Sequence, residues 1–395
     1  MPERPLLGAV PPPGFTRPPR PPSPQNSSTA SSRASFRVAL VVPRQGPAGM
    51  FALSCRAAAL LAATEIDRAG GVGGRPVELV DVDGGAEPAA VARQVALLVR
   101  AGAVDAVLGW HLSSVRQALA PVVAGRVPYV YATAYEGGER HSGVLCSGEL
   151  PGEQVVAALA WLRAQTGVRR WFLVGNDYVW PRTTARRTAA ALRRVGVAVV
   201  GSRYLPLGCP DDAVWPGVLE AVVRSGAEGV LMLLVGSDGV RFNREFAAAG
   251  LDGALLRFSP FMDETMLLAS GPGATRGLFA SAGWFASLAS ASALQFTRDF
   301  ATAFDLLAAA APAGPGAPSP GTMAESTYAG LHLLAALGRG GVPSVADVQR
   351  ARAGWAWDSP HGTVDLRGGG AGHPVHVAVA DGVGFDVLAR VGRGR

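Results

Sequence analysis

From residue 36 onward, short runs of consecutive apolar residues recur between longer segments with helical spacing, and glycine and proline mark the joins. Phe36–Val42 is the first such run, rich in Val and Leu and suited to a strand buried on both faces. A Gly/Pro loop over 43–49, an alanine-rich helix over 55–69 and a strand over 77–83 follow. Gly70-Gly-Val-Gly-Gly-Arg75 lies between that helix and that strand. A phosphate-binding glycine loop runs the other way, from strand into helix, so the cluster reads as a helix terminus. A helix over 88–101, a strand over 103–109, a helix over 113–124 and a strand over 128–131 complete a β-α-β-α-β-α-β order. That order predicts a parallel, doubly wound sheet.

The pattern then restarts. Residues 151–166 read as helix and 170–174 as strand, with a loop through 182 and a helix to 195. Strands over 198–204, 229–234 and 256–260 alternate with helices over 214–225 and 242–249. Strand returns over 277–285, and helices cover 290–311, 322–338 and 345–351, with a Pro/Gly/Ser-rich loop at 312–321. Two short antiparallel strands, 362–366 and 374–380, end the chain. The prediction is an α/β protein of two lobes, each a doubly wound, mostly parallel sheet, with a ligand cleft between them. Lobe 1 comprises 36–150 plus 277–355 and lobe 2 comprises 151–276 plus 356–395, with crossovers near 148–152, 275–277 and 352–358. Residues 1–35, rich in Pro, Ser and Arg without an apolar run, predict a disordered tail.

In such sheets ligands sit outside the carboxyl ends of the strands. Pro128-Tyr-Val-Tyr-Ala-Thr-Ala-Tyr-Glu-Gly-Gly138 runs out of a strand with three hydroxyl-bearing residues, Tyr131, Thr133 and Tyr135. The preceding strand ends at Trp110-His111-Leu112-Ser113-Ser114, where a serine caps the next helix or its amides meet a ligand oxygen. The six histidines form no H-E-x-x-H, and no serine lies in G-x-S-x-G. Cys55, Cys146 and Cys209 lack metal-binding spacing and are odd in number. The expectation is a binding module with no enzymatic activity, no metal and no cofactor.

Charge changes this picture little. Lys plus Arg number 36 against 30 Asp plus Glu, and every one of these cations is arginine. The arginines between 182 and 194 read as a solvated helix face, and no recognition motif accompanies them, so no direct nucleic-acid binding is expected. The first residues lack the apolar core of a signal peptide, and no stretch of about 18 apolar residues is apparent. The expected location is cytoplasmic, or periplasmic or extracellular if the start codon is misassigned.

Five segments carry a resemblance: Glu65-Ile-Asp-Arg-Ala-Gly-Gly-Val-Gly-Gly-Arg75, Tyr135-Glu136-Gly137, Gly175-Asn-Asp-Tyr-Val-Trp-Pro-Arg182, Ala324-Glu-Ser-Thr-Tyr328, and Ser359-Pro-His-Gly-Thr-Val364 with His373. Together they resemble the type I solute-binding proteins of the leucine/isoleucine/valine-binding type, over about residues 36–390. The second and third are similar to the amide- and urea-binding branch, which includes the amide-sensing regulator of the aliphatic amidase operon. The resemblance implies ligand contacts from Ser113, Tyr131 and Thr133 in the first lobe and from Tyr178 in the second. Tyr135 and Ser259, at neighbouring strand ends, complete the candidate set with His111, which stands where an amide sensor has tyrosine. Ala134 replaces a frequent proline, and Phe258-Ser-Pro-Phe-Met-Asp263 departs from the branch's Ser/Thr-rich pattern. The implied ligand is a short aliphatic amide or urea, with a branched-chain amino acid as the alternative. The expected role is a cytoplasmic sensor that regulates amidase-type gene expression through a partner regulator protein; the alternative is the substrate-binding component of an ABC transporter, partnered by its permease.

Overall fold

The computed structural model describes residues 34–209, 213–308, 320–359, 362–366, 372 and 374–392. The expected tail, save Ala34 and Ser35, lies outside the described residues, as do His361, His373, the end of the 206–212 loop and most of the 312–321 loop. Ser35 is tied to the fold, its Oγ donating to Glu78 Oε2 at 2.6 Å.

The first lobe is built on β1 (Phe36–Val42), β2 (Val77–Asp83), β3 (Ala106–Gly109), β4 (Tyr129–Tyr131) and β5 (Val144–Cys146). They form one sheet in the order β2-β1-β3-β4-β5, parallel throughout. α1 (Ala52–Arg68), α2 (Pro88–Arg100) and α3 (Ser113–Val123) connect them. β5 was not foreseen; its three residues, wholly buried, are too short a run to register as periodicity. The segment Pro47–Arg68, a 3-10 turn followed by α1, corrects the expectation about long apolar stretches. Its 22 residues are long and apolar enough to cross a bilayer by length and composition. Here it is a core helix: Cys55, Ala59 and Ala62 share one buried cluster with Phe36, Val38 and Leu40, and Ala57, Ala58 and Leu61 share another with Trp284 and Phe296.

The second lobe holds α4 (Ala158–Thr166), β6 (Arg170–Asn176), α5 (Val179–Arg194), β7 (Ala198–Leu205), α6 (Val214–Arg224), β8 (Gly229–Leu233), α7 (Ser237–Ala248), β9 (Leu256–Ser259), α8 (Glu264–Ser270) and β10 (Leu278–Ala282). α5 and α7 begin earlier than their sequence suggested, each absorbing residues read as a strand-end loop. Pro181 does not break α5, because at its third residue a proline lacks only an N–H with no intrahelical acceptor. α9 (Ala291–Ala308) and α10 (Thr322–Leu337) return to pack on α1, and α11 (Val345–Gly354) follows. β11 (Ala356–Ser359) and β12 (Gly362–Asp365) form a hairpin, and β13 (Val375–Asp381) and β14 (Gly384–Val391) close the second sheet.

That sheet runs β14-β13-β10-β9-β8-β6-β7. The expected lobe boundary at 277 is therefore corrected at β10. This strand pairs in parallel with β9 and antiparallel with β13, so the chain leaves the second sheet only after Ala282. An apolar run has the same pattern in either sheet; only its neighbours decide which one it joins.

Candidate ligand cleft

Adjacent strand ends build the first-lobe wall. β3 and β4 are in register at Gly109 and Tyr131, and past that point the Ala132 amide donates to the Gly109 carbonyl at 2.9 Å. The His111 amide then donates to Thr133 Oγ1 at 3.1 Å, fastening the two loops together. Thr133 is thus placed at the cleft, and its hydroxyl already holds the neighbouring loop.

His111 is buried and turned back beneath the sheet. Its Nδ1 donates to the Leu112 carbonyl at 3.1 Å, and that pairing fixes the tautomer, since a carbonyl only accepts. Its Nε2 accepts the Tyr129 hydroxyl at 2.9 Å. Burial pushes its pKa down to about 4, so the ring is neutral at physiological pH. Tyr131 donates its hydroxyl to the His111 carbonyl at 2.8 Å. His111 and Tyr131 therefore line the cleft chiefly as its braced wall.

Ser113 differs from both. Neither Ser113 nor Ser114 caps α3: the cap position is Leu112, which has no side chain to donate or accept. Val115 and Arg116 amides already use the Leu112 carbonyl, leaving the first amides of the helix without an intrahelical acceptor. Ser113 is 2% exposed, and its Oγ makes no well-formed hydrogen bond to the protein; its neighbour Tyr131 already gives its hydroxyl proton to the His111 carbonyl. It is a buried hydroxyl at a helix N-terminus, facing the other lobe.

In the second lobe, Asn176 binds three strand ends together. Its Nδ2 donates to Asp238 Oδ2 at 2.6 Å and its Oδ1 accepts the Val235 amide at 2.9 Å. Asp238 Oδ2 also accepts the Gly208 amide at 2.8 Å. On this base Tyr178 is the residue before α5, with its ring 6.5 Å from Trp180.

The lobes are closed on each other. Trp110, His111, Leu112, Ser113, Tyr131, Thr133 and Ala134 from the first lobe meet Tyr178, Trp180 and Phe261 from the second, around a cavity of about 10 Å³. That is the space of about one water molecule. The contact is aromatic: Phe261 lies 6.1 Å from Trp110, 5.6 Å from Trp180 and 6.2 Å from Phe51, and Phe51 lies 5.1 Å from Trp110. Two glycines allow the fit. A Cβ on Gly236, at φ +51°, would overlap the Pro47 carbonyl oxygen, and one on Gly321 would overlap the Asp263 carboxylate.

Five of the seven candidates thus come together: His111, Ser113, Tyr131, Thr133 and Tyr178. Tyr135 and Ser259 are not among the residues around this cavity. The Tyr135 ring stands edge-on to Tyr131, and Ser259 Oγ accepts the Phe261 amide at 3.2 Å. Trp110, Trp180, Phe261 and Phe51 were missed. The first two stand in strand-end motifs, where a tryptophan has the same signature as an ordinary core residue. Phe261 is reached only by the turn that Ser259 holds. Beside it, burial raises Asp263 to about 7 and Glu264 to about 8, and Glu264 Oε1 accepts the Ala286 amide at 2.7 Å. Among the described residues no group of three or more His, Cys, Asp or Glu is arranged to hold a metal ion.

Two closed α/β lobes around an interlobe cavity are the architecture of a known class of binding protein. The pattern of the family described as Periplasmic binding protein matches residues 35–382. The chain belongs to this family. The solute-binding protein is similar in structure to a solute-binding protein of an ABC transporter from Rhodopseudomonas palustris BisB5, solved with 3,4-dihydroxybenzoic acid. That match has a TM-score of 0.77 and 21% identity over 91% of this chain and 98% of the other. It is also similar to the branched-chain amino acid transporter substrate-binding protein LivJ from Streptococcus pneumoniae, solved with isoleucine (TM-score 0.75, 16% identity, 90% and 99% covered). A third match is an ABC transporter substrate-binding protein from Sphaerobacter thermophilus (TM-score 0.75, 20% identity, 91% and 98% covered). At these identities the likeness is one of fold.

Proposed function

We propose that this solute-binding protein holds a small, neutral, planar solute between its lobes, a short aliphatic amide or urea. The observation that carries the reading is that, among the described residues, none of those around the cleft cavity carries an ionised side chain, and Arg116, 5.6 Å from the Tyr131 ring centroid, is paired with Glu136 and Glu139. His111 is the one titratable imidazole there, and it is neutral above about pH 4. An amide presents one carbonyl and two N–H donors, which neutral hydroxyls and helix amides satisfy without burying a charge. Its oxygen meets Ser113 Oγ and the first amides of α3, and its flat faces lie against Trp110, Trp180 and Phe261. The cavity holds about one water, so even a ligand of few atoms enters only as the lobes move apart, and a small one requires the least movement. A free amino acid would bring an ammonium group for which the lining has no carboxylate.

One observation favours a second reading, an aromatic carboxylate. The aromatic residues suit a ring, and a helix N-terminus accepts a carboxylate. The benzoate-type ligand named for the R. palustris protein is of that kind. Closure on either ligand is what a partner would read. Similarity to several ABC-transporter receptors supports an ABC permease as that partner, ahead of a cytoplasmic amidase-type regulator. Calorimetry at pH 7 with acetamide, urea, isoleucine and benzoate tests the ligand class. Saturable binding of acetamide or urea, with none by the other two, is expected; the reverse would overturn the neutral-ligand reading.

A further inference from the structure

A second pocket of about 500 Å³ lies where the loop after β4 meets α5, apart from the cleft cavity and lined in part by Arg140, Arg187, Arg352 and Thr188. Its two carboxylates are turned inward. Glu136 and Glu139 side chains are each 3% exposed, and both hold the buried Arg116, whose Nη2 donates to Glu136 Oε1 at 2.6 Å. Glu139 Oε1 also accepts the Arg140 and His141 amides at 2.8 and 2.9 Å. Two arginines of the wall, Arg187 and Arg352, are met by neutral carbonyls. Arg187 Nη1 donates to the Glu136 carbonyl at 2.6 Å, and Arg352 Nη2 to the Glu139 carbonyl at 3.0 Å. With Arg116, the four arginines outnumber the two carboxylates Glu136 and Glu139 around the pocket, so the wall carries a net positive charge.

The loop is shaped for this. Gly137 and Gly138 have φ of +83° and +87°, and a Cβ on either would stand 2.7 Å from an Arg187 guanidinium nitrogen. Only glycine lets the guanidinium lie flat on the backbone here while keeping such a conformation. Arg187 belongs to α5 in the second lobe and the loop to the first, so an occupant would touch both.

We propose that this pocket is an anion site, taking a small solute with at least two negative charges, a phosphate group or a di- or tricarboxylate. Guanidinium groups grip either in forked, charge-assisted hydrogen bonds. The full chain, free of any cleft ligand, is titrated with sodium phosphate and separately with sodium citrate, with ionic strength held constant by sodium chloride. One-to-one saturation with a Kd below about 1 mM is expected for at least one of them. Which of the two binds more tightly tells phosphate from carboxylate chemistry. Arg140→Gln, at an exposed position, should weaken that binding about tenfold without changing the unfolding temperature. Arg187→Gln should weaken it at least as much. No saturation by either anion, or equal binding by Arg140→Gln, overturns the proposal. Neither outcome depends on which solute the cleft binds.

Discussion

Replacing Ser113 by alanine should separate folding from binding. Ser113 Oγ is buried with at most a weak contact to Tyr131, whereas the neighbouring Thr133 and Tyr131 hydroxyls are engaged in the loop structure. Removing a buried hydroxyl so weakly held takes little from the folded state and lifts a desolvation penalty of about 1 kcal/mol or more, so stability should hold or rise slightly. Binding should move the other way. A hydrogen bond between Ser113 and a neutral amide is worth about 0.5–1.5 kcal/mol, or roughly 2- to 13-fold in Kd. The same bond to a carboxylate is worth about 1.5–3 kcal/mol, roughly 13- to 160-fold. Urea unfolding reports the first quantity and calorimetry with the bound ligand the second. A loss above about 30-fold would refute the neutral ligand. A destabilisation above about 1 kcal/mol with unchanged affinity would show that the hydroxyl serves the fold instead.

Further tests follow from the same geometry. Gly236→Ala, which would drive a Cβ into the Pro47 carbonyl, should hinder closure. Its affinity should fall at least about tenfold and its radius of gyration by X-ray scattering should rise. Burial raises the folded pKa of Glu264 to about 8, so from about pH 4.5 the unfolded chain ionises while the folded one stays protonated. Unfolding free energy should therefore fall as pH rises from about 5 to 8, by up to a few kcal/mol, and Glu264→Gln should flatten that slope in urea titrations at several pH values. His111 has a lowered folded pKa, so its contribution is present above its ordinary value of 6.5 and is lost as pH falls toward about 4. Ligand affinity should stay flat between about pH 5 and 6, where His111 is already neutral and Asp263 beside Phe261 is still protonated, and a midpoint in that interval, seen by calorimetry, would contradict a neutral wall.

Most of the scaffold was legible in the sequence because strands buried on both faces announce themselves as apolar runs. β1 and β2 were read to the residue, and the restart after residue 150 separated two lobes. What escaped was set by pairing. β10 could not be assigned to a sheet until β9 and β13 lay beside it, and β5 was too short to show a period. In the cleft, strand ends pointed to the right loops, yet the chemistry of individual side chains was only half visible. Tyr131 and His111 look like ligand residues by type and turn out to be tied to each other and to Tyr129. Phe261 looks like an ordinary core residue and becomes a cleft wall because both lobes meet on it.

A crystal structure of the protein grown with acetamide tests the central claim most directly. The account predicts one acetamide between the lobes, its oxygen within hydrogen-bonding distance of Ser113 Oγ and the first α3 amides. Its plane should lie against Trp180 or Phe261, with the lobes closed around it. Acetamide found elsewhere, or a cleft still closed on itself at saturating acetamide, would contradict it.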